Sequence, residues 1–257
     1  MAGPDIVNVL DLDGLSVGWP GHAPVLKELS FALPRGAHVG LVGPNGAGKT
    51  TLFHTIAGVL RAQAGSVRVM GRTVLPGQFR TETALVFQQA EDQLFCPTLA
   101  EDVAFGPRNL GLSEAEISAR ARAALSVCEL TGLEDRPVHH LSGGEKRRAC
   151  IAGALAMQPD LLLLDEPSAA LDMRQRRRLI ALLAKMDQAM LIASHDLELV
   201  LELCPRVIVI DQGRVCADGP AHEVLGDARL MEAHGQEVPH SLTPHYTPGH
   251  LHVRNSL

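Results

Sequence analysis

The stretch AHVGLVGPNGAGKTT, residues 37–51, carries two signals in succession. Residues 37–42 read as a buried strand that runs straight into a glycine loop. Gly43–Thr51 then fits G-x-x-x-x-G-K-[ST], with a helical run, Lys49 to Leu60, behind it. The glycines of the run Gly43, Pro44, Asn45, Gly46, Ala47 and Gly48 let backbone N–H groups curl around phosphate oxygens. Lys49 supplies a point charge for the β- and γ-phosphates. Thr50 offers its hydroxyl to Mg²⁺, and Thr51 closes the motif. The ligand this pattern calls for is ATP with Mg²⁺.

The flanking sequence extends this start into a layered fold. Residues 6–17 and 25–33 alternate in part with period 2 and are expected as strands. Residues 65–75 read as a hairpin turning near Met70-Gly71-Arg72, and Thr83–Phe87 as a further short strand. From about 91 to 157 the pattern is mostly helical, and Ser113 with Glu116 forms a capping box ahead of EAEISARARAALSVCEL. Strand signals return at 160–165, 189–194 and 206–210, separated by helices near 174–186 and 196–203. Strand and helix in alternation imply an α/β fold with a parallel sheet. Residues 228–257 hold five of the twelve histidines and three prolines with little periodicity, so a loosely packed or poorly ordered tail is expected.

A second motif, LLLLDEP at 161–167, ends an apolar run in two adjacent carboxylates. Asp165 emerges at the C-terminal end of a strand, where parallel sheets bind ligands, and can hold Mg²⁺. Glu166 is then placed to polarise a water for in-line attack on a γ-phosphate. Taken alone, the pair fits a solvated acidic turn equally well; beside the phosphate loop the chemical role prevails. His195 follows AMLIAS at another strand end, within reach of the same γ-phosphate. Glu166, His195 and Lys49 are the catalytic candidates.

The stretch HHLSGGEKRRAC, 139–150, places Ser142-Gly143-Gly144 before a helical run, Glu145 to Met157. A helix N-terminus of this kind can bind an anion. A single ATP already enclosed by its own loop has no need of a second grip from the same chain. A two-fold, head-to-tail dimer resolves this, each chain's 142–144 loop covering the other chain's γ-phosphate.

Composition bounds what else the chain can be. Its 257 residues are 46% hydrophobic, which supports a sizeable core, and its formal charge of −6 gives no support to nucleic-acid binding. Five cysteines, at 96, 128, 150, 204 and 216, are scattered without a C-x-x-C pair, as in a reduced protein with inert thiols. No targeting segment is expected, since the first residues lack a basic start followed by an apolar stretch. Apolar runs such as ACIAGALAM fall short of the roughly 20 residues that span a bilayer.

The order GPNGAGKTT, VFQQ, LSGGE, LLLLDEP, SAALD and SHD resembles the ATPase subunits of ABC transporters, over residues 6 to about 225. The resemblance implies a P-loop NTPase (RecA-like) core with an antiparallel β-subdomain and an inserted helical subdomain near 91–157, within an ATPase domain over 1–227 and ahead of a tail over 228–257. It implies that Trp19 stacks on adenine, a contact worth about 1–3 kcal/mol per base. It implies that Gln88 touches Mg²⁺ and signals to a membrane partner, and that Asp172 communicates across the dimer. Ser142, Gly143 and Gly144 become the γ-phosphate contacts in trans. Two positions depart from the pattern: Glu145 replaces a common Gln, and Ala170 a frequent Gly. Neither removes a required functional group.

Within 86–113, DQLF…PT…EDVAFGP…NLGL is similar to ATPases of energy-coupling-factor importers, above all cobalt and nickel systems, with a vitamin such as biotin as the alternative cargo. The resemblance implies a transmembrane coupling subunit, a cargo-binding membrane subunit, a second ATPase chain that is identical or a paralogue, and a peripheral place on the cytoplasmic face of the membrane. Leu94, Phe95, Leu99 and Phe105 would suit helix-in-groove docking. The tail histidines, His234, His240, His245, His250 and His252, invite a metal site, but most are too widely spaced for a local one. The rival class is a soluble ABC-type ATPase acting in assembly or on nucleic acid. Translation-type members carry two cassettes where this chain has one, and DNA-repair types insert a long coiled coil, for which no sustained heptads occur here.

Overall fold

The computed structural model describes residues 8–19 and 21–243. Short apolar runs build the main sheet: β3 (His38–Val42), β6 (Thr83–Val86), β7 (Leu161–Asp165), β8 (Ala189–Ala193) and β9 (Arg206–Asp211). Their spatial order is β10-β9-β3-β8-β7-β6, with neighbours parallel except at the edge, where β10 (Arg214–Pro220) pairs antiparallel with β9. β7 and β8 are buried at every position, the requirement of a central strand covered on both faces.

Alternate side chains of these strands feed two cores. Leu161, Leu163, Leu191 and Ile208 face one side. There they meet α1 (Lys49–Ile56) and a second, antiparallel sheet of order β2-β1-β4-β5, made from β1 (Asn8–Val17), β2 (Leu26–Pro34), β4 (Ala64–Val69) and β5 (Arg72–Thr73). Leu162, Leu164, Ile192 and Val207 face the other side and pack with the remaining helices. These are α2 (Leu99–Asn109), α3 (Glu114–Val127), α4 (Gly143–Ala156), α5 (Met173–Leu183), α6 (Leu197–Leu203), α7 (Ala221–Gly226) and α8 (Ala228–Ala233). The β4–β5 hairpin turns through Met70 and Gly71, both at positive φ (51° and 73°), the two-residue turn that matches strand twist.

Three expectations need correction. The helix expected over 49–60 ends at Ile56, because the chain turns through Gly58 at φ +76°. β10 and α7 were not foreseen: β10 is an edge strand whose residues are nowhere fully buried, so it lacks an apolar run. The tail is packed as far as it is described. α8 buries Met231 completely, and Val238 and Leu242 lie against the larger core. Ser241 Oγ donates to Glu198 Oε2 at 2.6 Å, and His234 Nδ1 lies 3.0 Å from Asp211 Oδ2. His245, His250 and His252 lie outside the described residues. Among the described residues no helix is long and apolar enough to cross a membrane.

Candidate functional site

The loop after β3 begins with a forced glycine. A Cβ on Gly43 would stand 2.0 Å from the carbonyl oxygen of Ile210, so no side chain fits. Gly48, at φ +101°, is the N-cap of α1 and offers no side chain to its first N–H groups. By contrast Thr98, Ser113, Ser142 and Asp172 each cap α2, α3, α4 and α5 with their own oxygens. The first turn of α1 therefore keeps free donors and carries no acidic residue, as an anion site requires.

Four strands deliver their C-terminal ends to this loop, and the order β3-β8-β7-β6 sets the side chains beside it. Lys49 is 8% exposed; its Nζ donates to the carbonyls of Gly43 at 2.6 Å and Pro44 at 3.1 Å. Burial holds its pKa below the usual lysine range, against the pull of Glu166 and Asp165. Thr50 Oγ1 donates to Asp165 Oδ2 at 2.8 Å. Burial pushes the Asp165 carboxyl up, while the Thr50 hydroxyl and the charges of Lys49, His54 and Arg147 act to lower it.

Glu166 leaves β7 at φ +46°, a strained left-handed conformation for a side-chain-bearing residue, and its N–H donates to Ala193 O on β8. One carboxylate oxygen, Oε2, accepts from the backbone N–H of His195 at 3.1 Å and from Ser194 Oγ at 3.4 Å. The other, Oε1, is buried without a hydrogen-bond partner. His195 Nε2 stands 2.8 Å from Asn45 Oδ1, 3.5 Å from Lys49 Nζ and 3.6 Å from Glu166 Oε1. With Asn45 Oδ1 as acceptor, Nε2 carries the proton. Asn45 through Thr51, Gln88, Asp165, Glu166 and His195 line a single cleft of about 310 Å³. Hydroxyl, carboxylate and amide oxygens that line one cleft with a lysine and free N–H groups can hold a phosphate chain and polarise a water beside it.

The remaining candidates lie elsewhere. Ser142 caps α4 in a reciprocal box: Glu145 N–H donates to Ser142 Oγ at 3.4 Å, and Ser142 N–H donates to Glu145 Oε2 at 2.7 Å. That bond, with Arg136 Nη1 3.3 Å from Oε1, holds the Glu145 carboxyl below the usual range. Glu145 in the place of Gln is thus a cap, and the spacing Ser-x-x-Glu already carried the signal. Gly144 packs on Gln175, whose side chain a Cβ would meet at 2.7 Å, and Gln175 N–H donates to Asp172 Oδ1. Ser142, Gly143 and Asp172 are exposed and outside the 310 Å³ cleft. Trp19 stands two residues past the end of β1, at 52% exposure. Ala170 stands at φ +61°, which accounts for the Gly frequent at this place in the motif.

Sequence reasoning missed two arginines. Arg176 Nη2 donates to Asp196 Oδ1 at 2.8 Å and its Nε to Oδ2; Ser168 Oγ donates to Oδ2 at 3.2 Å, so the residue after His195 is tied to α5 and to the loop after Glu166. Arg147 is buried and donates to the carbonyls of Phe87 and Gln88. Arg147 stands in a run of four charged residues and Arg176 in a run of three, and neither partner is legible there because the acceptors lie 20 to 60 positions away in sequence.

Residues 26–169 match the family described as ABC transporter. Relatives 38–49% identical align over 89–94% of this chain. One, the cobalt import ATP-binding protein CbiO of Rhodobacter capsulatus, is 44% identical over 90% of this chain and 85% of its own. Another, the energy-coupling factor transporter ATP-binding protein EcfA of Methanothermobacter thermautotrophicus, is 39% identical over 90% and 77%. Among solved structures, CbiO1 of Clostridium perfringens, part of the ABC transporter complex CbiONQ, superposes with a TM-score of 0.80 at 32% identity, over 88% of this chain and 94% of that one. The chain belongs to the ABC transporter family as an ATP-binding, ATP-hydrolysing subunit of the energy-coupling-factor type.

Proposed function

We propose that this subunit drives an importer of cobalt or nickel ions, by closing head-to-tail on a second ATPase chain around two ATP molecules. The observation that carries this is the separation within one chain: Lys49, Asp165, Glu166 and His195 converge on the cleft, while Ser142, Gly143 and Asp172 form an exposed patch outside it. A two-fold axis brings the partner's copy of that patch over the γ-phosphate.

In the closed pair, the N–H groups of the 43–51 loop cradle the phosphates and Lys49 Nζ trades its carbonyl acceptors for phosphate oxygens. Trp19 stacks on the adenine. Glu166 Oε1, free of any other bond, orients the attacking water and receives its proton. The bond from the γ-phosphorus to its bridging oxygen breaks, giving ADP and phosphate. His195 Nε2–H turns from Asn45 to the γ-phosphate oxygens. Asp165, Thr50 and Gln88 offer hard oxygen donors in the same cleft, and a carboxylate disfavoured by burial is one that a cation stabilises, so the residues fit Mg²⁺. Bound there, Mg²⁺ neutralises charge on the phosphate oxygens.

A groove of about 260 Å³ beside α2 and α4 fits a helix of a transmembrane coupling subunit at the cytoplasmic face. Of the four residues expected there, Leu99 is fully buried and Leu94 packs on the core. Phe95 and Phe105 stand 63% and 44% exposed, joined by Phe79 at 73%. An apolar cluster of this size on a soluble face calls for a partner. The cobalt cargo named for the Rhodobacter relative supports the choice of ion.

The test is mass by light scattering with a non-hydrolysable ATP analogue, together with Ser142→Arg. Wild type should dimerise. Ser142→Arg should bind nucleotide yet neither pair nor hydrolyse. Full turnover of Ser142→Arg, or wild-type turnover from a chain that never leaves the monomer, would overturn the head-to-tail site.

A further inference from the structure

Helix α4 does more than present Ser142–Gly144. In its second turn Arg147 points inward, 4% exposed. Its Nη1 donates to the carbonyl of Phe87 at 2.6 Å and its Nη2 to the carbonyl of Gln88. On either side of it, Lys146 Nζ lies 2.5 Å from Glu91 Oε1, and Cys150 Sγ lies 3.5 Å from Ala90 O. The loop 87–91 is therefore gripped along its length by one helix, while Gln88 lines the same cleft as Asp165.

Of these contacts Arg147 is the one that holds Gln88 itself. The Lys146–Glu91 pair has an exposed carboxylate, where solvent screens the attraction, and a thiol is a weak donor. A guanidinium meets two adjacent carbonyls with a rigid planar fork, which an ammonium or an amide cannot reproduce. Burying such a cation is costly, and Nε is left without a partner. Filling space alone would call for an apolar side chain of that length.

We infer that Arg147 is a positioning residue for Gln88. It joins the loop that aims Gln88 into its own chain's cleft to the helix whose N-terminus faces the other chain. Arg147 lies five positions after Ser142, about 7.5 Å along the helix. Contact made at the 142–144 loop thus reaches Gln88 through one stiff element, and each ATP site senses the closure of its neighbour. The inference rests on the role given above to Gln88.

A double-mutant cycle on ATP turnover tests it, using Arg147→Met, Gln88→Ala and the pair in the full chain. Arg147→Met should lower kcat about tenfold and leave the KM for ATP within about twofold, since the phosphate loop is untouched. Arg147→Lys, which can reach one carbonyl at a time, should recover part of that loss. Added to Gln88→Ala, Arg147→Met should change turnover no further. If the two losses multiply, or if Arg147→Met raises KM and spares kcat, Arg147 does not act through Gln88. Should Arg147→Met fail to fold, Arg147→Lys against Gln88→Ala carries the same cycle, and independence there overturns the inference equally. Full turnover of Gln88→Ala alone would instead remove the role of Gln88, and the inference with it.

Discussion

Replacing Glu166 with Gln isolates the step that the cleft is built to perform. The side chain is fixed at one oxygen only: Oε2 accepts from His195 N–H at 3.1 Å and from Ser194 Oγ at 3.4 Å, and Oε1 is buried without a partner, 3.6 Å from His195 Nε2. The amide oxygen of Gln can keep the His195 bond, so the direction of the side chain survives. What disappears is the negative charge and the lone pair that receives the water's proton. A positioned general base contributes about 10²–10⁴-fold, or about 2.7–5.4 kcal/mol of barrier. The contacts of Lys49, Thr50 and Asp165 are untouched, and one negative charge beside the γ-phosphate is gone. Glu166→Gln should therefore hold ATP at least as tightly as the wild type, lose about 10²–10⁴-fold in kcat and accumulate as an ATP-bound dimer. Phosphate release at saturating ATP, read beside mass by light scattering, measures both. Turnover within about threefold of wild type would remove Glu166 as the base. A variant that keeps ATP unhydrolysed yet stays monomeric would remove the closed pair.

Ala170 at φ +61° costs about 1–2 kcal/mol of left-handed strain. A Gly there relieves the strain but frees the unfolded chain by about 0.4–1 kcal/mol, so Ala170→Gly should gain about 0.5–1 kcal/mol in urea unfolding. Met231→Ala should lose about 2–5 kcal/mol, because Met231 is fully buried and α8 belongs to the core; an unchanged denaturation midpoint would show that the segment is dispensable. Burial pushes the thiols of Cys128, Cys150 and Cys204 up to about 12, so all three stay protonated throughout the neutral range. A thiol reagent at pH 8 should label exposed Cys216 first and reach those three only on unfolding.

Much of the site was legible because its signals are short. The phosphate loop, the two carboxylates of LLLLDEP and the cap at Ser113 each declare themselves within about ten residues. The cap at Ser142 was equally local, and Glu145 answers it. Other features left no such mark. α4 is buried on most of its surface, so its arginines stand in no amphipathic pattern, and each finds a distant carbonyl: Arg147 at Phe87 and Gln88, Arg148 at Cys128. Met231 sits in a six-residue helix, too short to show a readable period, and its full burial is seen only in the folded chain.

The amino-acid order by itself determined which elements form and which groups carry chemistry, because the bonds that make a strand end, a glycine loop or a helix cap close within a few residues. The strand order β3-β8-β7-β6 could come only from the tertiary structure. So could the arrangement that leaves Glu166 Oε1 free between His195 and the phosphate loop, and that turns Ser142 and Asp172 away from the cleft. Neighbours in a parallel sheet are chosen by how apolar faces fill two cores at once, and that choice is made between residues far apart in sequence, from 28 positions for Leu161 and Ala189 to 152 for His38 and Met190.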